Sequence, residues 1–333
     1  MPYLIENWID LAPENWQTLI VGNGGSVAVS NGFAYASLYE AAEAYKLLTP
    51  AVIDIFEKFS TNDFELILRR LWYTKQVNAA LGIVVAPVDD AYIAIRDALI
   101  KTIRETHVKH EDARGHLHAI YKFMRPFRTV ISLNYDLLVY WAAQLGNDEL
   151  GSRYHFKDCF FSGVFSDDWT EYRRGYGGID NPTIFCYPHG NIALGLTTGL
   201  VERKLAAGAS GDLLEAIFTA WDKGTVTPIF VCEGGSMQKV DAIMASPYLR
   251  SVLYGPMHEI GESLVIYGWQ MAKQEQHILD AIKMHPPTRV AVSVYDGSQQ
   301  YCEHAHKTLT DAGIANVRFF DSKSPGAWNN PAP

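Results

Sequence analysis

The sequence predicts an α/β fold in which helices cover both faces of a parallel sheet and a mainly helical insertion interrupts it. Short apolar runs alternate with helical segments through the second half of the chain, which is typical of a parallel sheet buried on both faces. Between the first and second apolar runs, residues 37–127 are mainly helical in pattern. We expect one domain over residues 1–333, with residues 151–182 as a second, irregular insertion.

The first strand is predicted at residues 19–21, an apolar run that leads directly into the glycine-rich turn 22–26. A helix is then expected after Ser37, because Glu40 three residues later completes the pattern of a capping box. The apolar run 82–87 fits a strand or a buried helix, and periodicity does not decide between them. Further helices are expected in the insertion at 64–73, 89–107 and 116–124.

Short apolar strands are expected through the rest of the chain, at 129–133, 183–187, 228–232, 264–267, 289–294 and 317–320. Helical patterns lie between several of them, at 136–145, 211–221, 274–284 and 300–313. We expect these strands to join one parallel sheet, since a helix can carry the chain back to the same edge. Residues 324–333 are expected to form a loose tail.

Composition excludes several classes of protein. With 48% hydrophobic and 20% charged residues, the chain is typical of a globular protein and not of a disordered or fibrous one. Its formal net charge of −9 argues against a nucleic-acid-binding protein, which normally carries a basic face. No apolar run approaches the roughly 20 residues that span a bilayer, and no signal peptide is recognised, so we expect a cytoplasmic protein without a membrane partner.

The four cysteines stand far apart in the sequence and form no C-x-x-C pair, which predicts neither a disulfide framework nor a structural zinc site. We therefore expect no metal. Among the histidines of the helical insertion, His116 and His118 are two residues apart and do not share a helix face. We expect these two, and also His107 and His110, to lie on the surface.

Ligands bind beyond the carboxyl ends of strands in open parallel sheets. Five predicted strand ends carry glycine or small polar residues, at 22–26, 134–136, 188–191, 233–236 and 268–270. The turn 22–26 fits a phosphate-binding loop or a tight strand-to-helix turn. Val27 stands at the third glycine position of G-x-G-x-x-G, and no clear second strand ending in an acidic residue follows about 20 residues later. Both observations count against a dehydrogenase.

The other strand-end residues also have two interpretations. Asn134 and Asp136 fit either a helix cap or a ligand site, because both residue types cap helices. His189, between a proline and a glycine directly after a strand, is a candidate catalytic residue, although a single histidine is often structural.

The order of three motifs resembles the sirtuin-like NAD-binding superfamily, whose members carry G-A-G-x-S, then N-I-D, then H-G. The corresponding residues here are 22–26, Asn134-Tyr135-Asp136 and His189-Gly190. N-Y-D and the segment 264–278 are similar to a bacterial antiphage-defence-type branch, and the segment 232–249 is similar to an uncharacterised bacterial branch of the same superfamily. Deacetylating sirtuins usually carry a zinc module with two C-x-x-C pairs, and this chain has none.

The resemblance implies a Rossmann-like sheet of the sirtuin type and a set of site residues. It implies catalytic roles for Asn134, Asp136 and His189. Asn23 replaces the alanine of the glycine loop, and Gln270 replaces the serine of G-x-S, so contacts to nicotinamide and ribose differ there. The residues implied to bind NAD are Gly22, Asn23, Gly24, Gly25, Ser26, Gly190, Glu233, Gly234, Gly235, Ser236, Gly268 and Gln270.

The function that this resemblance implies is hydrolysis of NAD⁺ to nicotinamide and ADP-ribose in antiphage defence, gated by a partner or trigger. NAD is then a substrate, and a homo-oligomer, a partner ATPase or another defence protein is compatible with the resemblance. The alternatives are a non-catalytic subunit that senses NAD or ADP-ribose, and a sirtuin-like ADP-ribosyltransferase or deacylase. The missing cysteine pairs disfavour deacylation.

Overall fold

The computed structural model describes residues 2–35, 37–151, 155–175, 179, 181–207, 211–231 and 235–333. Its strands, numbered in chain order, are β1 (Ile5–Glu6), β2 (Thr18–Val21), β3 (Thr129–Ser132), β4 (Phe156–Lys157), β5 (Phe160–Phe161), β6 (Val164–Phe165), β7 (Thr183–Cys186), β8 (Gly190–Thr197), β9 (Glu202–Lys204), β10 (Val226–Phe230), β11 (Ser263–Tyr267), β12 (Arg289–Val294) and β13 (Asn316–Asp321).

The main sheet has eight strands in the order β1-β13-β12-β11-β2-β3-β7-β4. Every neighbouring pair is parallel. Strands β2, β3, β7 and β11 are buried along their whole length, as their apolar sequences require of strands covered on both faces. The predicted parallel α/β sheet is therefore confirmed, and the fold is Rossmann-like.

The helices, numbered in chain order, are α1 (Trp8–Leu11), α2 (Asn23–Val27), α3 (Leu38–Ala44), α4 (Pro50–Lys58), α5 (Phe64–Leu81), α6 (Ala86–Thr106), α7 (His110–Met124), α8 (Leu138–Glu149), α9 (Trp169–Tyr172), α10 (Leu213–Asp222), α11 (Ser236–Met244), α12 (Pro247–Tyr254), α13 (Gln276–Met284) and α14 (Gln299–Asp311). The Ser37 side chain accepts a hydrogen bond from the Glu40 amide at 3.0 Å, so the predicted cap of α3 is confirmed. In the described part of the chain, no helix is both long enough and apolar enough to cross a membrane.

Residues 37–127 contain five helices, α3 to α7, whereas the described part of 151–182 contains three short strands and helix α9. The open question at 82–87 is resolved by the left-handed Gly82, which ends α5 at a φ of 69°. Residues 83–85 form a loop, and α6 begins at Ala86. A left-handed glycine directly after a helix is a common stop signal, and it outweighs the apolar run that follows.

A second sheet corrects one expectation. The strand predicted at 228–232 does not join the parallel sheet, because β10 pairs antiparallel with β8 in a sheet of order β10-β8-β9-β6-β5. Only three residues separate the end of β7 from the start of its partner β8, which leaves no room for a helix that would carry the chain back to the main sheet. Apolar composition identified the strand, but it carries no information on which sheet the strand joins.

The C-terminal segment is not the loose tail expected from its composition. Ala327 and Trp328 are buried, and the Trp328 indole stacks on Tyr267 with ring centroids 5.5 Å apart. The indole Nε1 also donates a hydrogen bond to the carbonyl oxygen of Gly25 at 2.8 Å. The segment therefore forms one wall of the glycine-rich turn. The Gly, Pro and Asn content of the segment suggested a loose tail, but Trp328 is buried and the Asn329 side chain donates to the Ala28 carbonyl at 2.9 Å.

Candidate functional site

Parallel pairing brings the carboxyl ends of four central strands to one edge of the sheet. Val21 at the end of β2 pairs with Ser132 of β3 and with Tyr267 of β11, and Ile131 of β3 pairs with Cys186 of β7. The predicted motifs after these strands therefore lie at the same edge.

The glycine-rich turn packs backbone against backbone on the loop after β11. The amides of Gly22 and Gly24 donate to the carbonyl oxygens of Tyr267 and Gly268 at 2.9 and 2.7 Å. A Cβ atom on Gly24 would lie 2.8 Å from the Cα of Gly268, which itself has a φ of 65°. These glycines are thus required by the close approach of two chain segments. Gly25 packs beside the buried Trp328 ring.

Ser26, Asn134 and Asp136 form one buried hydrogen-bonded group. The Asn134 amide nitrogen donates to the Gly22 carbonyl at 3.0 Å and to the Ser26 hydroxyl oxygen at 2.7 Å. The Ser26 hydroxyl donates to one carboxylate oxygen of Asp136, and the other oxygen accepts from the Leu138 amide at 2.8 Å. Asp136 therefore accepts the first amide of α8, as a capping residue does, although the N-cap position itself is Leu137; its interpretation as a ligand-site residue stays a prediction.

Two further residues hold the 134–136 segment in place. The Asn191 amide donates to the Asp136 carbonyl, and its own oxygen accepts from the Ala193 amide at 2.9 Å. His107 accepts from the Leu137 amide through Nε2 at 3.1 Å. His107 is buried, so the expected surface position is wrong. Burial lowers its pKa, while the nearby Asp136 carboxylate opposes that shift.

At His189 the chain leaves the parallel sheet and enters the antiparallel one. The next residue, Gly190, has a φ of 76°, and a Cβ atom there would clash with the backbone of β10. Antiparallel pairing of Gly190 with Phe230 places the end of β10 beside the start of β8. The start of α11, which follows β10, therefore lies close to His189.

His189, His277 and Ser236 form a second buried chain of hydrogen bonds. The Nε2 atoms of the two histidines are 2.8 Å apart, and His277 Nδ1 lies 3.2 Å from the Ser236 hydroxyl. His189 Nδ1 faces the Leu133 carbonyl oxygen at 3.3 Å and must carry the proton there, because a carbonyl only accepts. His277 then donates from Nε2 to His189, and Ser236 donates to His277. Both rings are neutral in this arrangement.

Electrostatics favours the same neutral state. Burial lowers the pKa of His189 well below its ordinary value, and the positive charge of Lys239 on α11 lowers it further. The pKa of His277 is lowered to about 4, first by burial and then by Lys239. Lys239 is itself only 5% exposed, so its charge acts through a poorly solvated interior. A neutral imidazole is the form that can accept a proton.

The remaining predicted residues lie around these two groups. Gly235 precedes α11, and its amide donates to Gln238 at 2.9 Å. Asn23 is exposed, and its side chain donates to the Phe33 carbonyl at 3.0 Å. Gln270 is also exposed, and its backbone oxygen contacts His304. Glu233 and Gly234 lie outside the described residues. Gly22, Gly24, Gly25, Ser26, Asn134, Asp136, His189, Gly190, Ser236 and Gly268 are brought together at one edge.

Sequence reasoning missed four residues that complete the site: His107, Asn191, Lys239 and His277. His277 had a signal, since a histidine stands near the start of the helix that follows the 268–270 strand end. Its partner His189 is 88 residues away, so the pairing itself left no trace in the sequence. Among the described residues, no group of three or more histidine, cysteine, aspartate or glutamate side chains is arranged to hold a metal ion.

Comparison with known proteins gives a family without an assigned activity. A search of curated protein sequences finds no match. Residues 19–328 match the family described as a domain of unknown function, DUF4917. The match runs from the first residue of the predicted strand 19–21 to the buried Trp328, and so it includes both hydrogen-bonded groups. Because the match covers most of the chain, the protein belongs to the DUF4917 family.

Proposed function

We propose that the cluster at the carboxyl edge of the main sheet binds NAD⁺ and hydrolyses its nicotinamide–ribose bond, releasing nicotinamide, ADP-ribose and a proton. Two things support the proposal. One is the resemblance of the glycine turn, N-Y-D and H-G to the sirtuin-like NAD-binding superfamily. The other is the single buried group formed by Ser26, Asn134 and Asp136 beside the glycine turn.

The fixed orientation of the Asn134 carboxamide is the main structural observation that supports the proposal. Its nitrogen donates to two oxygens, and one of them is a backbone carbonyl, so the nitrogen cannot exchange places with Oδ1. Among the described residues, Oδ1 has no hydrogen-bond donor. A water molecule or a ribose hydroxyl that donates to Oδ1 would be held at a fixed position, which is what hydrolysis requires of its nucleophile.

Asp136 and His189 supply complementary chemistry. Cleavage of the nicotinamide–ribose bond passes through an oxocarbenium-like transition state with positive charge on the ribose. The Asp136 carboxylate is 4% exposed, and a buried negative charge stabilises a cation more strongly than a solvated one does. Neutral His189 is suited to take the proton of the attacking water once its Nε2 atom is released from His277.

A non-catalytic sensing function is the second candidate, and one observation favours it. His189 Nε2 is already occupied by His277, and both side chains are buried. A pocket that binds NAD in this closed state would recognise the nucleotide without offering a base to the reaction. Catalysis requires the His277 contact to open, which is consistent with gating by a partner or trigger.

Incubation of the pure protein with NAD⁺, followed by chromatography of the products, separates the two candidates. Hydrolysis predicts equal amounts of nicotinamide and ADP-ribose. Calorimetric binding of NAD⁺ with no product, also in the presence of lysate from phage-infected cells, would support the sensor. If NAD⁺ neither binds nor reacts under any of these conditions, both forms of the proposal are wrong.

A further inference from the structure

A separate cavity of about 540 Å³ lies at the opposite, amino edge of the main sheet. Thr18 and Thr129, the first residues of β2 and β3, line it, and so do the loops that lead into β11 and β12. The candidate active site lies at the carboxyl ends of these same strands. The two sites are therefore separated by the length of the strands and do not share side chains.

The cavity is lined by an excess of basic groups. Arg128, Arg173, His258 and His285 line it, whereas Glu259 is the only carboxylate among its described lining residues. Neither arginine forms an ion pair with a carboxylate in the described part of the chain. Two unpaired guanidinium groups facing one concave space are the arrangement that phosphate-binding sites use.

Arg173 is held in position but is incompletely satisfied. Its two terminal nitrogens donate to the Arg128 carbonyl at 3.4 Å and to the Thr129 hydroxyl at 3.0 Å. The remaining donor, Nε, is buried and has no hydrogen-bond partner within the described residues. Burial lowers the pKa of Arg173, and the positive charge of Arg128 lowers it further. The Glu259 carboxylate opposes that shift, and the Arg173 guanidinium lies over the Trp169 ring at 4.8 Å, but no ion pair within the described residues neutralises it, so a bound anion would stabilise the partly buried cation.

We propose that this cavity binds a small phosphate monoester through Arg128 and Arg173. The phosphate dianion matches the two guanidinium groups in charge and offers acceptors to their N–H donors. The cavity volume lies in the range of about 300–1,000 Å³ that small-molecule sites occupy, which leaves room for an organic body the size of a pentose. His258 and His285 add donors or acceptors for its hydroxyl groups.

Isothermal titration calorimetry at pH 7 and low salt tests the proposal with three probes: ribose 5-phosphate, inorganic phosphate and ribose. We expect ribose 5-phosphate to bind with a Kd on the order of 100 µM and ribose not to bind. Inorganic phosphate supplies the same charge without the organic body. If inorganic phosphate binds more weakly than ribose 5-phosphate, the ligand is a phosphate monoester. If the two bind equally, the same anion site binds free phosphate.

Three variants locate the binding. Arg128→Gln and Arg173→Gln are expected to weaken binding at least about tenfold, since each removes a charge-assisted contact. Arg174→Gln is the matched control, because Arg174 is exposed and pairs with Glu171 outside the cavity. Melting curves show whether each variant is folded. Arg128 is exposed, so we expect Arg128→Gln to leave the interior of the protein unchanged. The proposal is overturned if the wild type binds neither phosphate, or if Arg128→Gln binds as tightly as the control.

Discussion

The Nε2 atoms of His189 and His277 are 2.8 Å apart and share one proton between two buried rings. A second proton between them would convert one ring to an imidazolium beside the positive charge of Lys239, which already lowers the pKa of both histidines. The pair is therefore stable only while both histidines stay neutral. This relationship links the stability of the fold to pH and links the proposed catalytic base to its neighbour.

We expect the protein to lose stability as the pH falls. The folded-state pKa of His277 is about 4, below its ordinary value of 6.5, so the unfolded chain takes up this proton first. The free energy of unfolding should then fall between pH 6.5 and about 4, and this group adds no pH dependence above that window. One proton corresponds to at most about 1.4 kcal/mol per pH unit.

Urea unfolding at several pH values measures this dependence. His277→Gln should reduce the slope by close to one proton. An identical slope in wild type and His277→Gln would show that His277 is not held neutral in the fold.

Loss of either proposed catalytic side chain should affect turnover far more than binding. Asn134→Ala and His189→Ala are each expected to lower nicotinamide release from NAD⁺ by about 10²–10⁴-fold, as removal of a positioned catalytic group commonly does. The glycine turn remains in both variants, so NAD⁺ affinity should change much less. Nicotinamide release, calorimetry and melting curves on each variant provide the test. Full activity in His189→Ala would falsify its assignment as the base.

A side chain at Gly24 should destabilise the fold. The new Cβ would lie 2.8 Å from the Gly268 Cα, and two backbone segments cannot separate without losing their hydrogen bond. We expect Gly24→Ala to cost about 1–3 kcal/mol of unfolding free energy. A Gly24→Val variant is therefore not a clean test of nucleotide binding, because the substitution would also destabilise the fold.

Gly115 provides the matched control for this substitution. It lies inside α7, and a Cβ atom there would meet nothing within 4 Å. Gly115→Ala should raise stability by about 0.5–1 kcal/mol, because alanine favours the helix. Equal effects of the two substitutions on the melting temperature would refute the close approach of the two loops.

Trp328 should contribute strongly to stability. The side chain is 1% exposed and packs on Tyr267, so Trp328→Ala is expected to cost about 3–5 kcal/mol. Trp328→Phe keeps most of the ring contact but removes the donor to the Gly25 carbonyl, which should cost about 1–3 kcal/mol. Denaturant unfolding of the two variants separates the contribution of ring packing from that of the hydrogen bond. A loose C-terminal segment would show no effect in either variant.

The parts of the fold that depend on local pattern were predictable. Apolar runs identified β2, β3, β7, β11, β12 and β13, and glycine or polar residues after four of these strands identified the site. Placement of the ends of β2, β3 and β11 at one edge follows from parallel pairing alone. Their positions after strands made Asn134, Asp136 and His189 candidates, whereas their catalytic roles follow from the sirtuin-like resemblance and stay predictions.

The remaining features depend on contacts between distant residues. Strand β8 contains Gly190, Asn191 and Gly195, which interrupt its apolar run, so its pairing with β10 was not visible. In the sequence His107 is a polar residue at the end of a helical pattern. Only the packed structure shows that it accepts a hydrogen bond from the Leu137 amide. Periodicity reports which face of an element is buried, and it does not report what lies across from that face.

The contact of Trp328 with Gly25 also sets an order of events during synthesis. The glycine turn leaves the ribosome first, but the indole that forms its wall follows 303 residues later. Strand β1 likewise pairs only after β13 is made, since β13 is its neighbour in the described sheet. A nascent chain that has completed β3 and β7 therefore still lacks one side of the turn, and its proposed NAD⁺ site is unfinished. The wall of the glycine turn is therefore complete only after translation has passed residue 328.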